Sequence, residues 1–113
     1  MEYNRVDATV TEDPEALAER IAALAHVHRV EVFMLLARSP EKGLSAGEIA
    51  KRLQLAPSSL SFHLSQLERA GLLSARREQR KIFYAVNPSG TRELLGKLVH
   101  TCCADRPDLT ELN

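Results

Sequence analysis

Between Ser45 and Gly71 the chain is punctuated so closely that only two short helices and a tight turn fit. Ser45-Ala46-Gly47-Glu48 has the spacing of a capping box, in which the serine oxygen and the glutamate each satisfy a backbone N–H of the other. Behind it, Ile49, Ala50 and Leu53 share an inward face, and Gln54-Leu55-Ala56 leaves room only for a turn. Pro57 opens a second helix at its first position, and Gly71 stands where a left-handed residue would close it. Two short helices joined by so few residues read as a helix-turn-helix.

The second helix has an unusual composition. Leu60, Leu64 and Leu67 form one stripe, while Ser58, Ser59, Ser61, His63, Ser65 and Gln66 crowd the rest of the surface. A helix that faces only water is usually decorated with Glu and Lys, because serine is a mediocre helix former. Short hydrogen-bonding side chains instead let a helix backbone come close to base edges and phosphates. The expectation is a helix that enters a DNA major groove.

The flanking segments are as legible. Asp13-Pro14-Glu15 supplies an N-cap, a first-turn proline and a first-turn acid for a helix whose stripe is Leu17, Ile21, Leu24 and Ala25. After the His26-Val27-His28 junction a second stripe, Val30, Phe33, Met34 and Ala37, stops before Ser39-Pro40. Past Gly71 the period changes, and residues 72–77 and 81–86 read as two strands around Glu78-Gln79-Arg80. Arg76, Arg77, Arg80 and Lys81 gather at the hairpin tip, which must be solvated or lie against phosphate. Asn87-Pro88 starts a last helix with the seam Leu94, Leu95, Leu98 and Val99, fading at residues 102–107. The whole reads as a single domain over 1–113, with flexible ends at about 1–12 and 106–113.

A net charge of zero conceals a sorting along the chain. Residues 1–50 carry five Lys/Arg against nine Asp/Glu, residues 51–97 nine against three, and residues 98–113 one against three. One basic segment in a neutral protein focuses its field locally, as a phosphate-binding face does. No apolar run reaches the length of a membrane span and no segment resembles a signal peptide, so a soluble cytoplasmic protein is expected. In that compartment two cysteines point to metal, redox or inert thiol roles rather than a disulfide scaffold. No glycine-rich phosphate loop and no nucleophile beside an evident base suggests an enzyme.

This order of elements is that of a winged helix-turn-helix, and residues 44–86 resemble the ArsR/SmtB family of bacterial repressors. The residues that carry the resemblance are 45–53, then Ala56-Pro57-Ser58-Ser59-Leu60-Ser61-Phe62-His63-Leu64, Leu67-Glu68-Arg69-Ala70-Gly71-Leu72-Leu73 and the Arg-rich hairpin that ends in Tyr84. With the flanking helices it covers roughly residues 12–104. The resemblance implies a mainly α fold with a two-stranded β-hairpin wing, a homodimer paired through its first and last helices, and two recognition helices on an inverted-repeat operator. Ser58, Ser59, Ser61, His63 and Gln66 would then contact DNA, with Arg76, Arg77, Arg80 and Lys81 on its backbone. Phe62 departs from the polar residue often found there, and either touches a thymine methyl or packs inward.

The family's members differ in the ligand they sense. Ser45 and Gly47 stand where one branch has a Cys-x-Cys pair, and His100 alone represents the metal site of another branch's last helix. Cys102-Cys103 resemble the vicinal thiols of a branch that binds trivalent arsenic or antimony near the C-terminus, although the third cysteine usual there is missing. Two thiolates suffice for a monomethylated trivalent arsenical, whose methyl group already fills one position, so that inducer is a further expectation. Other readings stay open: inert buried thiols, a redox switch, zinc through His100, Cys102, Cys103 and Asp105 (a spacing without precedent), or a winged helix that only binds proteins.

Overall fold

The computed structural model describes residues 13–103, with side chains as far as His100. Five helices and three short strands follow in the order α1 (Pro14–Ala22), α2 (Val27–Ala37), β1 (Leu44–Ser45), α3 (Ala46–Leu53), α4 (Pro57–Arg69), β2 (Leu73–Glu78), β3 (Lys81–Val86) and α5 (Pro88–Cys103). The expected hairpin is present, and it gains a partner. Leu44 and Ser45 pair antiparallel with Tyr84 and Phe83, so the sheet is three-stranded in the order β1-β3-β2. Two residues of strand are too few to show a period of two in the sequence.

Each helix boundary has an identifiable cause. Asp13 caps α1 by accepting from the N–H of Ala16 at 2.7 Å, and Pro14 occupies the first turn. Ser45 Oγ accepts from the N–H of Glu48 at 3.2 Å, which is half of the expected capping box. The other half is replaced, because the Glu48 carboxylate turns to Arg52 at 2.9 Å one helical turn on. At the end of α4, Leu72 N–H donates to Leu67 O and Gly71 N–H to Glu68 O, both at 3.0 Å. With Gly71 at φ +82° this is a complete Schellman motif, and buried Leu72 packs above it. Asn87 caps α5 through its side chain, which accepts from Gly90 N–H at 3.1 Å.

The core lies where α2, α3, α4 and the start of β2 converge, on Val32, Leu36, Ile49, Leu60, Leu64, Leu67, Leu72 and Leu73, with Leu94 from α5. The leucine stripe of α4 is buried as its spacing predicts. The expected stripe of α2 is corrected: Val32 and Leu36 are buried, whereas Val30 and Met34 face out, Met34 being 50% exposed. Val27-His28-Arg29-Val30-Glu31-Val32-Phe33-Met34-Leu35-Leu36-Ala37 is apolar on most sides, so periodicity alone does not choose a face. Arg20 fastens the first helix to the body. Its Nε donates to Ala70 O at 3.0 Å and its Nη2 reaches Glu93 on α5 at 3.3 Å.

Candidate nucleic-acid interface

Helix α4 follows a left-handed turn at Gln54 (φ 55°) and begins at Pro57, whose ring fits the first helical position. With Leu60, Leu64 and Leu67 anchored in the core, the opposite face must point to solvent. Ser58, Ser59, Ser61, Phe62 and Ser65 are exposed there, and Gln66 is half-buried. Four of the five expected α4 contacts therefore lie on accessible surface or at its edge.

His63 does not. It is 7% exposed, held largely inside the fold rather than on the surface its neighbours offer. Its Nδ1 accepts from Arg29 Nε of α2 at 3.1 Å. Its ring centre lies 4.6 Å from that of His26 and 5.8 Å from that of His28. Burial, then the neighbouring His26, Arg29 and His28, hold its pKa below the usual imidazole value. Phe62 takes the outward position instead, 58% exposed, with the Arg29 guanidinium 5.5 Å from its ring centre. Among the described residues no group of three or more His, Cys, Asp or Glu side chains is arranged to hold a metal ion.

The wing divides its basic residues. In the β2–β3 ladder Arg77 lies opposite Ile82 and Arg76 opposite Phe83, so successive residues point to opposite faces. Ile82 and Tyr84 face α3 and α4 across a cleft of about 650 Å³ that Ser61, Lys51, Arg80 and Lys81 also line. Burial, helped by Glu68, raises the Tyr84 pKa and keeps its hydroxyl a donor. Through Ser61 this cleft joins α4 to the wing tip, and its three cations outnumber its one carboxylate, Glu48. Arg76 stands on the other face, stacked 5.1 Å over Phe83, reaching Lys42 O at 3.4 Å and Glu78 at 3.8 Å. The structure thus brings Arg80 and Lys81 to α4 and leaves Arg76 apart.

Two contributors escaped sequence reasoning. Lys51 is an ordinary helix cation in the sequence, and only the fold sets it in one cleft with Ser61 and Lys81. Arg29 lies 34 residues from His63, and no local pattern signals their contact. Cys102 and Cys103 occupy the last two positions of α5, but their side chains lie outside the described residues.

An exposed helix of short polar side chains, beside a cleft with three cations and a basic hairpin, has the form and charge for double-stranded DNA. Comparison with known proteins agrees. Residues 24–75 match the profile of a helix-turn-helix domain. The transcriptional activator HlyU of Vibrio cholerae is 31% identical over 83 residues, 74% of either chain. A solved structure of HlyU matches with a TM-score of 0.60 at 30% identity, covering 83% of this chain and 99% of that one. The HTH-type transcriptional regulator Rv0081 of Mycobacterium tuberculosis is 33% identical over 98 residues, 83% of either chain. The homodimeric winged helix-turn-helix DNA-binding domain Mb0332 of Mycobacterium bovis has the same fold, with a TM-score of 0.63 at 22% identity over 100% of this chain and 97% of that one. Fold, exposed polar helix and relatives converge, and the chain belongs to the ArsR/SmtB family of winged helix-turn-helix transcriptional regulators.

Proposed function

We propose that the chain is a homodimeric repressor that seats two copies of α4 in successive major grooves of an inverted-repeat operator, with the wings on the flanking phosphates. The observation that carries this reading is the continuous exposed surface formed by the serine face of α4 and the Lys51, Arg80 and Lys81 cleft. Pairing of two copies is supported by the apolar side chains left exposed on α1 and α5, Ile21 at 41%, Leu95 at 47% and Leu98 at 39%. It is supported too by the homodimeric state of the Mycobacterium bovis domain. The test is selection of duplexes from a random pool, followed by titration at several salt concentrations. Enrichment of inverted repeats and steep salt dependence are expected. A shallow dependence with no enriched sequence would mean a protein-interaction module.

In this reading the inducer is trivalent arsenic or antimony, or a methylated trivalent arsenical, held by the thiolates of Cys102 and Cys103. Support comes from the adjacency of two soft ligands at the end of α5, the helix that this reading pairs with its copy. An inducer there shifts the equilibrium if it binds the DNA-incompetent arrangement of the two subunits more tightly. Release of selected DNA by arsenite and by methylarsenite should be lost in the Cys102→Ser/Cys103→Ser variant. Unchanged release would exclude those thiols as the sensor.

A further inference from the structure

Arg29 joins three things: the end of the α1 segment, the start of α2 and the recognition helix. Its Nη1 donates to Ala23 O at 3.4 Å, its Nε donates to His63 Nδ1 at 3.1 Å, and its guanidinium covers the Phe62 ring at 5.5 Å. Adjacent residues of α4 are therefore held by one side chain, Phe62 from outside and His63 from inside. A guanidinium only donates hydrogen bonds, so the Nδ1 of His63 must be an unprotonated acceptor and the ring proton must sit on Nε2. The neighbouring His26 ring meets the same condition. His26 caps α2 by accepting from His28 N–H on its Nδ1 at 3.1 Å, and its ring stacks at an angle against His63.

We propose that Arg29 is the positioning residue of the recognition helix and that it works as a proton-released latch, holding α4 only while Nδ1 of His63 carries no proton. This rests on the reading of α4 as the DNA-contacting helix. A proton on Nδ1 sets two donors face to face at hydrogen-bond distance and adds a positive charge beside a guanidinium. The buried ring then gains by leaving, and it belongs to the helix that must lie in the groove. The groups that face it and oppose its protonation, Arg29, His26 and His28, all come from α2 and its cap, with Glu31 engaged by His28 at 3.0 Å. Beyond Arg29, Glu19 and Arg20 of α1 and Arg69 of α4 line the neighbouring cleft, and among the described residues no carboxylate figures in the shift of His63. A different cause would give the opposite sign. Imidazoles that gain charge beside DNA in acid tighten binding to phosphate, and the sign of the pH dependence separates the two.

The experiment titrates the full chain with a duplex that the wild-type protein enriches from a random pool at about pH 7.5. Affinity is expected to fall as pH drops through the titration of His63, by up to about tenfold per pH unit. His63→Asn, whose side-chain oxygen accepts near the Nδ1 position and cannot take the proton, should bind at neutral pH and lose the acid sensitivity. Arg29→Ala should bind more weakly at neutral pH with a flattened profile, and its His63 should titrate at higher pH than in the wild type. Affinity that rises in acid, or an acid loss that persists in His63→Asn, overturns the latch. If no duplex is enriched at any pH, the DNA-binding reading has failed, and imidazole NMR of the free protein then decides the latch. A His63 ring protonated on Nδ1 at neutral pH, or one whose titration leaves the α4 amide resonances unmoved, overturns it. An Nε2–H tautomer whose titration shifts them supports it.

Discussion

His63 shows how one side chain of an otherwise exposed polar helix can be held inside by its neighbours. In the unfolded chain its ring titrates at the ordinary 6.5, and in the fold burial and three neighbouring cations or imidazoles lower that value. Its contribution to stability is therefore complete above 6.5 and is lost as pH falls from there through the folded value, because the unfolded state binds the proton first. Urea midpoints measured from neutral to mildly acid pH should decline in that window for the wild type and flatten for His63→Asn. Glu48, lowered by its bond to Arg52, acts in a separate window below its usual 4.5. Leu67 represents the other kind of residue, fully buried at the point where α4 hands over to β2. Leu67→Ala should cost about 2–5 kcal/mol in chemical denaturation, the usual range for a leucine whose cavity cannot collapse. The leucine stripe was legible because its spacing has one helical solution. The inward turn of His63 was not, since a polar ring is held inside only by partners supplied from α2.

At the scale of elements, close backbone approaches govern what α5 and the turns tolerate. A Cβ on Gly90 would lie on the Gly71 carbonyl, so Gly90→Ala must push α5 away from the end of α4. A loss of at least about 1–3 kcal/mol is expected, as for overpacking against rigid atoms, and thermal unfolding would measure it. Gln54 presents the reverse case. It closes α3 at φ 55°, a conformation that costs a side-chain-bearing residue roughly 1–2 kcal/mol, so Gln54→Gly should be neutral or stabilising. The wing follows the same logic of faces. Arg80→Ala and Lys81→Ala should each lower the slope of log affinity against log salt by about one unit. Arg76→Ala should change it less, because Arg76 is engaged with Phe83, Lys42 O and Glu78 on the far side of the sheet. Caps, prolines and glycines made these elements readable in order. The face each strand turns toward α4 depended on a register that one-dimensional alternation leaves open.

For the whole molecule, the exposed leucines of α5 and Ile21 of α1 mark a surface that a second copy should cover. Leu95→Asp/Leu98→Asp should yield monomer by analytical ultracentrifugation and weaken binding to inverted repeats far more than to a single half-site, because two-site attachment is lost. A variant that stays dimeric would move the pairing surface elsewhere. Among the described residues no helix is long and apolar enough to cross a membrane.

The sequence by itself determined the order of helices, the helix-turn-helix between Ser45 and Gly71, the buried leucines of α4 and the basic tip at 76–81. Those features depend on local propensity and spacing, which are written along the chain. Only the tertiary structure decided that α2 buries Val32 and Leu36, that Leu44 and Ser45 add a third strand, and that Arg76 stands apart from Arg80 and Lys81. It also decided that His63 answers to Arg29 rather than to solvent. Each of these depends on which neighbour supplies the missing hydrogen bond or apolar contact, and such neighbours lie up to tens of residues away.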